Sequence, residues 1–383
     1  MRYAVGLNRV RLSLFDKLLR VNWLLVLLVC LTAGAGFAML VSAASGSLQP
    51  WAQPQMIRFG IGVFIMLVIA VVDIGFWLRA AYAIYGLAFV LLVVVEVIGE
   101  SGMGAQRWIT LGSVQLQPSE LMKIALVMGL ARYFHGASLE TIGRPVFLLP
   151  PLIMALLPAA LVLRQPDLGT AAVLLMIAAA MIYLAGVKLW HYGVAAVIAL
   201  GAIPVAWQFL RDYQKTRIMT FLDPELDPLG AGYHIIQSKI ALGSGGLFGK
   251  GYLQGSQSHL NFLPEKQTDF IFTMLAEEFG MVGALGLLAL YALVIALCFA
   301  ISMRCANVFG RLLGMGITAT FFFYVFINIA MVMGLVPVVG MPLPLISYGG
   351  SAMMTLLIGF GLVLSASVHR DLRIDRRGRT VTD

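Results

Sequence analysis

Apolar positions along this chain come in long blocks separated by short polar segments, without the alternation of a half-buried strand or the single apolar stripe of a soluble helix. A helix needs roughly 20 consecutive apolar residues to cross the hydrocarbon core of a bilayer. On that ruler the blocks predict helices over 21–44, 57–76, 80–99, 119–134, 146–163, 168–187, 190–210, 270–301, 312–333 and 346–368. The block at 119–134 is short for a span and reads as tilted or partly re-entrant. The expected fold class is an all-α polytopic membrane protein of about ten transmembrane helices. It forms one membrane domain over 1–383: a bundle at 21–210 and 270–368, tails at 1–20 and 369–383, and a large, partly helical extracytoplasmic loop at 211–269 between helices 7 and 8.

Composition narrows the classes further. The chain is 60% hydrophobic and 11% charged, against about 25% charged in an ordinary soluble domain. With a mean hydropathy of +0.93, too little polar sequence remains to cover a soluble core. A soluble enzyme, a disordered chain and a secreted disulfide scaffold are all excluded. Cys30, Cys298 and Cys305 lie in or just beyond apolar blocks and read as small apolar fillers. The first block is too long for a signal-peptide core, so no cleaved leader is expected.

The net charge of +8 could suggest nucleic acid, but its distribution points to a membrane. With the N-terminus inside, the inner segments hold Arg2, Arg9, Arg11, Lys17, Arg20, Arg79, Arg132, Arg144, Lys188, Arg304, Arg311 and the basic tail from Arg370 to Arg379. The short outer segments hold Arg58, Arg107 and Arg164. That asymmetry places both termini in the cytoplasm, and the tail suits anionic lipid.

The 211–269 stretch is far longer than the structureless loops of compact domains, and such loops are usually functional. Within it, Ile235, Ile236, Ile240 and Leu242 recur at near-helical spacing, so 231–242 is expected to be an amphipathic helix against the membrane surface.

Ionisable groups at membrane depth are costly, which makes each a functional candidate. Arg107 and Trp108 precede Pro118, Ser119, Glu120 and Lys123. Ser119 can cap a helix there, and Glu120 and Lys123 then face the same side. They are either a local ion pair or a cationic site in which Glu120 orients Lys123 and Arg107 joins it. Asp167 follows Arg164, Gln165 and Pro166 where a helix begins, which favours an N-cap. Asp269 closes the long loop, again at a helix start. It is either a cap, a task Thr268 could equally perform, or a general base at the mouth of a cavity. Glu277 and Glu278 follow, and at least one needs a partner inside the bundle. The glycine-rich stretch 243–251 lacks the register of a phosphate loop, and the histidines show no paired metal spacing. Finally, prolines and glycines interrupt the apolar sequence after Asn328. Irregular backbone at membrane depth is tolerated only against protein or a water-filled cavity, so this stretch reads as an outer loop or as a re-entrant element shaping a groove.

Together these motifs resemble the SEDS family (shape, elongation, division and sporulation) of bacterial cell-wall proteins. The resemblance rests on the N-x5-G-L-x-P and G-x-P-L-P-x-x-S-Y-G-G-S runs from Asn328 to Ser351, the Arg107-Trp108 and Gln117–Glu120 pieces, Gln165–Thr170, and Leu263-Pro264-Glu265 with Thr268-Asp269-Phe270. The loop text from Leu222 to Ile240 is similar to the elongation members. The resemblance implies a ten-helix peptidoglycan glycosyltransferase in the bacterial inner membrane. Such an enzyme polymerises lipid II on the outer face, alongside a class B penicillin-binding transpeptidase and other elongation-complex membrane proteins, with no nucleic acid. The family's loop aspartate carries over onto Asp269, and its cavity residues onto Arg107, Glu120, Lys123 and Asp167, with Trp108 beside them and Lys239 in the loop.

On that reading, Asp269 removes the proton from the acceptor GlcNAc 4-hydroxyl. Arg107 and Lys123 meet the charge growing on the leaving pyrophosphate, with Lys239 or a divalent cation (Mg2+ or Mn2+) as further candidates. Inversion needs no covalent intermediate, and the activated lipid makes a nucleotide unnecessary. A lipid II flippase is the rival from another class, but no internal repeat of the transporter kind is found. A scaffold role would leave the clustered charges unexplained.

Overall fold

The computed structural model describes residues 13–102, 105–111, 114–210, 212–223, 231–256, 265–376 and 378–379. Arg2, Arg9, Arg11 and the Leu263-Pro264 part of the loop motif lie outside the described residues. In chain order the elements are α1 (Leu14–Leu19), α2 (Trp23–Ala43), α3 (Ala52–Val71), α4 (Ile74–Ile98), β1 (Glu100–Gly102), β2 (Ala105–Leu111), β3 (Val114–Leu116), α5 (Pro118–Phe134), α6 (Leu139–Ile142) and α7 (Pro145–Arg164). They continue with α8 (Leu168–Leu184), α9 (Leu189–Phe209), α10 (Asp212–Leu222), α11 (Ala231–Ser244), α12 (Ile271–Met303), α13 (Val308–Val332) and α14 (Gly350–Val368).

Each of the expected spans is helical, and among the described residues seven helices are long and apolar enough to cross a bilayer: α2, α3, α4, α7, α12, α13 and α14. The protein is a mostly helical, multi-pass membrane protein. The block at 57–76 overruns a real boundary, because Asp73 caps α4 by accepting from Gly75 N at 2.7 Å. Hydropathy cannot see that break, since apolar residues flank Asp73 on both sides.

The fourth block is one continuous helix in the middle of the bundle. Helix α5 is buried from Pro118 to Ala131 on nearly every face, packed among α4, α7, α8, α13 and α14. Its modest hydropathy follows from that position, for it meets protein and not acyl chains. Ser119 does not cap it. The helix starts one residue earlier, at Pro118, with Gln117 at the N-cap and no side-chain cap bond, as suits a proline whose missing N–H costs nothing in the first turn.

The all-α expectation needs one correction. Strands β1, β2 and β3 form a small antiparallel sheet with β2 in the middle, Glu100 facing Trp108 and Ile109 facing Leu116. Trp108, Ile109 and Thr110 are residues that fit a pleated, half-buried surface, and their run is too short to register among long apolar blocks.

Helix α12 is kinked at Gly280, whose φ of +65° lies outside the helical region. The kink leaves carbonyls without intrahelical partners, and the glycine-rich 243–251 stretch supplies them. Lys250 N and Gly251 N donate to Glu277 O and Glu278 O, each at 3.0 Å, while Met281 N and Val282 N donate back to Gly246 O and Leu247 O. A Cβ on Gly249 would fall 2.1 Å from Glu278 O, so this close backbone contact requires glycine. Glu277 pairs with Lys250 Nζ at 2.7 Å, and Glu278 accepts from Ser42 Oγ. The stretch that looked phosphate-cradling is a brace for a broken helix.

Helix α11 matches the expected amphipathic segment but docks on protein. Ser238 is buried and its hydroxyl reaches Thr273 Oγ1 and Val332 O, at 2.9 and 2.8 Å. The bundle has two distinct ends. Lys17 Nζ donates to Val71 O, Ser365 Oγ to Val72 O, and His135 Nε2 lies 3.1 Å from Asp375 O. The two described ends of the chain therefore meet at one end. The segments 265–270 and 334–349 gather with the start of α5 at the other.

Candidate active site

Asp269 lies in a run of turns before α12, where Phe270 takes the N-cap position with no side-chain cap bond. Thr268 does not cap either, because its hydroxyl bonds Glu265 O and Oε2 at 3.2 and 3.0 Å. The Asp269 carboxylate is thus spared for another task. Its main chain is fixed tightly. Asn328 of α13 donates from one amide nitrogen to Asp269 O at 2.9 Å and to Met341 O at 2.6 Å. Ser347 Oγ accepts from Leu343 N and donates to Thr268 O, and Tyr348 N donates to Gln267 O at 2.8 Å. The proline- and glycine-rich loop is stitched to the residues around Asp269 by bonds that a soft surface loop would lack.

Gly340 has a φ of +71°, and a Cβ there would sit 3.6 Å from Asp269 Oδ2. Burial, with help from the Glu265 charge and against the pull of the Arg217 guanidinium, holds the Asp269 carboxyl at about 6. Arg217 comes from α10 and donates to Val338 O at 3.3 Å. A carboxylate that titrates near neutrality is suited to exchanging a proton with substrate.

Arg107 projects from β2 onto the turn before α8. It donates to Gln165 O at 3.1 Å and to Pro166 O, and lies 3.7 Å from Asp167 Oδ2. Asp167 is the N-cap of α8, accepting from Thr170 N at 3.1 Å and Thr170 Oγ1 at 2.9 Å. Gly169 lets this turn press on the loop, since a Cβ there would lie 2.9 Å from Val339 O. Three elements therefore converge on the short run 338–341: Arg217 at Val338, the Arg107–Asp167 turn at Val339, and Asp269 at Gly340.

Glu120 and Lys123 lie one layer deeper and do pair, at 2.6 Å. Tyr324 completes the group. Its hydroxyl donates to Glu120 Oε2 at 2.6 Å and accepts from Lys123, whose ammonium also sits 4.4 Å from the ring centre. Lys123 is only 1% exposed, so its charge is spent on two enclosed partners. Lys239 stands apart on α11, exposed, with its side-chain end over Gly334 at the start of the loop. Trp108 is partly buried on β2 beside Arg107.

The loop thus gathers Asp269, Arg107 and Asp167, holds Glu120 and Lys123 beneath it, and keeps Lys239 at its edge. Sequence reasoning missed Tyr324 and Arg217. Tyr324 lies one helical turn before Asn328, a spacing that could have put it on the same face. Arg58 was read only as an outer charge, yet its guanidinium lies 5.5 Å from the Tyr348 ring centre in the same loop. Among the described residues no three His, Cys, Asp or Glu side chains converge as metal ligands.

Comparison with known proteins places this geometry in context. Residues 19–372 match the FtsW/RodA/SpoVE family, described as "Cell cycle protein". The chain is 44% identical over 371 residues to peptidoglycan glycosyltransferase MrdB of Escherichia coli, covering 95% of this chain and 98% of that one. Among solved structures it resembles a chain from work on the structural coordination of polymerization and crosslinking by a peptidoglycan synthase complex, with a TM-score of 0.79, 33% identity, and coverage of 92% of this chain and 98% of that one. It also resembles the rod shape determining protein RodA of Thermus thermophilus, with a TM-score of 0.70, 30% identity and coverage of 92% and 98%. A match over nearly the whole length, with the motif residues set around one aspartate, means that the chain belongs to the FtsW/RodA/SpoVE family of cell cycle proteins, the SEDS family its motifs resemble.

Proposed function

We propose that this protein is a peptidoglycan glycosyltransferase that joins lipid II units into glycan strands during cell elongation, with Asp269 as its general base. The observation that carries the reading is the cradle of Asp269: a partly buried carboxyl, raised to about 6, held by the Asn328 and Ser347 bonds at one end of a membrane bundle. A base so placed takes the acceptor 4-hydroxyl proton as the new glycosidic bond forms. The undecaprenyl pyrophosphate leaves from the opposite face of the anomeric carbon, which inverts. General-base help of this kind is worth about 10²–10⁴-fold.

The leaving pyrophosphate needs cations aimed at its growing charge. Arg107 has the exposure for that role, with 31% of its side chain open and a loose 3.7 Å contact to Asp167. Lys123 acts from beneath, through its enclosed group with Glu120 and Tyr324, by holding the floor of the loop. Asp167 keeps Arg107 and the α8 start in register, Trp108 flanks the guanidinium on β2, and Lys239 guards the loop edge. An apolar groove between α4, α5 and α14, lined by Leu87, Leu91, Leu121 and Ile358, suits part of a polyprenyl chain.

In the cell the chain crosses the bacterial inner membrane ten times, with both termini cytoplasmic and Asp269 outside, and works beside a class B penicillin-binding transpeptidase. The test is to supply labelled lipid II to the purified protein, alone and with such a transpeptidase, in detergent and in liposomes. Glycan polymer is the expected product. Lipid II that crosses the bilayer unpolymerised under every partner condition would replace the enzyme with a flippase.

A further inference from the structure

At the end of the bundle away from Asp269, a cavity of about 450 Å³ opens between the end of α5 and the C-terminal segment. Helix α5 separates the two sites by about 25 Å, from 17 residues at 1.5 Å each. The cavity is lined by Tyr82, Arg132, Tyr133, His135, Thr141 and Arg376 together with two apolar residues, and by no carboxylate.

Its cations are set there by structure. Arg132 donates to Arg79 O at 2.7 Å and stacks 4.3 Å from the Tyr82 ring centre. Arg376 donates from Nε and Nη2 to Gly136 O. Gly136 has a φ of +78°, and a Cβ there would fall 2.7 Å from Arg376 Cγ and Nε, so the glycine makes room for the guanidinium. Both arginines spend donors on main-chain carbonyls and neither forms an ion pair with a described residue, which leaves their charge unbalanced and several of their five N–H donors unused. His135, only 8% exposed, donates from Nε2 to Asp375 O at 3.1 Å and so ties the C-terminal segment to the end of α5. Two guanidinium groups with unused donors, facing one cavity that no carboxylate lines, are the equipment of an oxyanion site.

The surroundings identify the anion. Val146 and Leu149 of α7 and Phe76 of α4 are exposed apolar residues on the helices that carry the cavity wall, 82%, 56% and 48% exposed respectively. Such a surface in a membrane bundle faces acyl chains, while tyrosines at the rim mark the depth of the headgroups. We propose that this cavity binds the phosphate ester headgroup of an anionic phospholipid from the adjoining leaflet, and that the bound headgroup clamps the C-terminal segment to the end of α5. This inference is independent of the reaction assigned to Asp269.

Native mass spectrometry of the full chain tests it, with phosphatidylglycerol or phosphatidylcholine supplied in detergent micelles. Retention of phosphatidylglycerol about tenfold in preference to phosphatidylcholine is expected, with most of that preference lost in Arg132→Ala and in Arg376→Gln. Arg376→Gln changes an exposed side chain, and thermal unfolding verifies that both variants are folded. Arg304→Ala removes an exposed charge at the same end without touching the cavity and is expected to keep the preference. Equal retention of the two lipids, or equal loss in Arg304→Ala, would overturn the site in favour of diffuse attraction. Displacement of the lipid by millimolar inorganic phosphate would overturn the lipid source and leave a site for a soluble phosphate.

Discussion

If Asp269 is the base, the rate of strand formation must follow its ionisation. With the carboxyl at about 6, roughly nine-tenths is ionised at pH 7 and roughly one-eleventh at pH 5, so kcat/KM should fall about tenfold between them. An ordinary aspartate at 3.8 would still be about 94% ionised at pH 5 and would show almost no fall. The assay is the initial rate of polymer formation at subsaturating lipid II, measured from pH 4.5 to 8. Two neighbours allow the limb to be assigned. Glu265 raises the Asp269 carboxyl and Arg217 lowers it, so Glu265→Gln should move the acid limb to lower pH and Arg217→Ala to higher pH. A profile flat down to pH 5, or a limb that neither substitution moves, would refute the reasoning.

Other consequences follow from the same contacts. Because the folded-state carboxyl of Asp269 lies above its unfolded value, its charge opposes folding. The penalty is absent below about pH 4, grows between 3.8 and about 6, and is complete above that. Asp269→Asn is therefore expected to unfold at higher temperature than wild type at pH 7.5, by about 1 kcal/mol once screening of a partly exposed group is discounted, with the gap closing at pH 4. Glu120→Ala strands the buried Lys123 ammonium and should cost about 3–5 kcal/mol in thermal or denaturant unfolding, whereas Tyr324→Phe should cost about 1–2. Adding Lys123→Met to Glu120→Ala should recover most of the loss. Gly340→Ala places a side chain at a φ of +71° beside Asp269. It should lower stability by about 1–2 kcal/mol and slow polymerisation at every pH without moving the acid limb.

The features that were legible in the sequence were local or periodic. Asp167 was recognised as a cap because capping needs only Asp167 and Thr170, three residues on. Glu120 and Lys123 were matched because a helix brings every third residue to one face. The spans were readable because bilayer thickness fixes their length. What escaped depends on distant partners. Tyr324 joins Glu120 from a helix 204 residues away in sequence, and Arg217 comes to the 338–341 run from α10, 121 residues before Val338. The capping alternative for Asp269 could not be dismissed from spacing, because only the folded chain reveals that Phe270 takes the N-cap. The kink at Gly280 is invisible to hydropathy, which scores the residues on both sides as one apolar run, and the glycines of 243–251 make sense only beside the broken helix they brace.

The central claim is that Asp269 performs the proton transfer and does not merely shape the loop. The most direct test compares Asp269→Asn with wild type for both lipid II binding and polymer formation, in folded protein supplied with a class B transpeptidase. The account predicts lipid II affinity within about twofold of wild type and polymerisation lower by about 10²-fold or more. Polymerisation by Asp269→Asn at a near-normal rate would contradict it, and the base would then have to be sought elsewhere around the 338–341 loop.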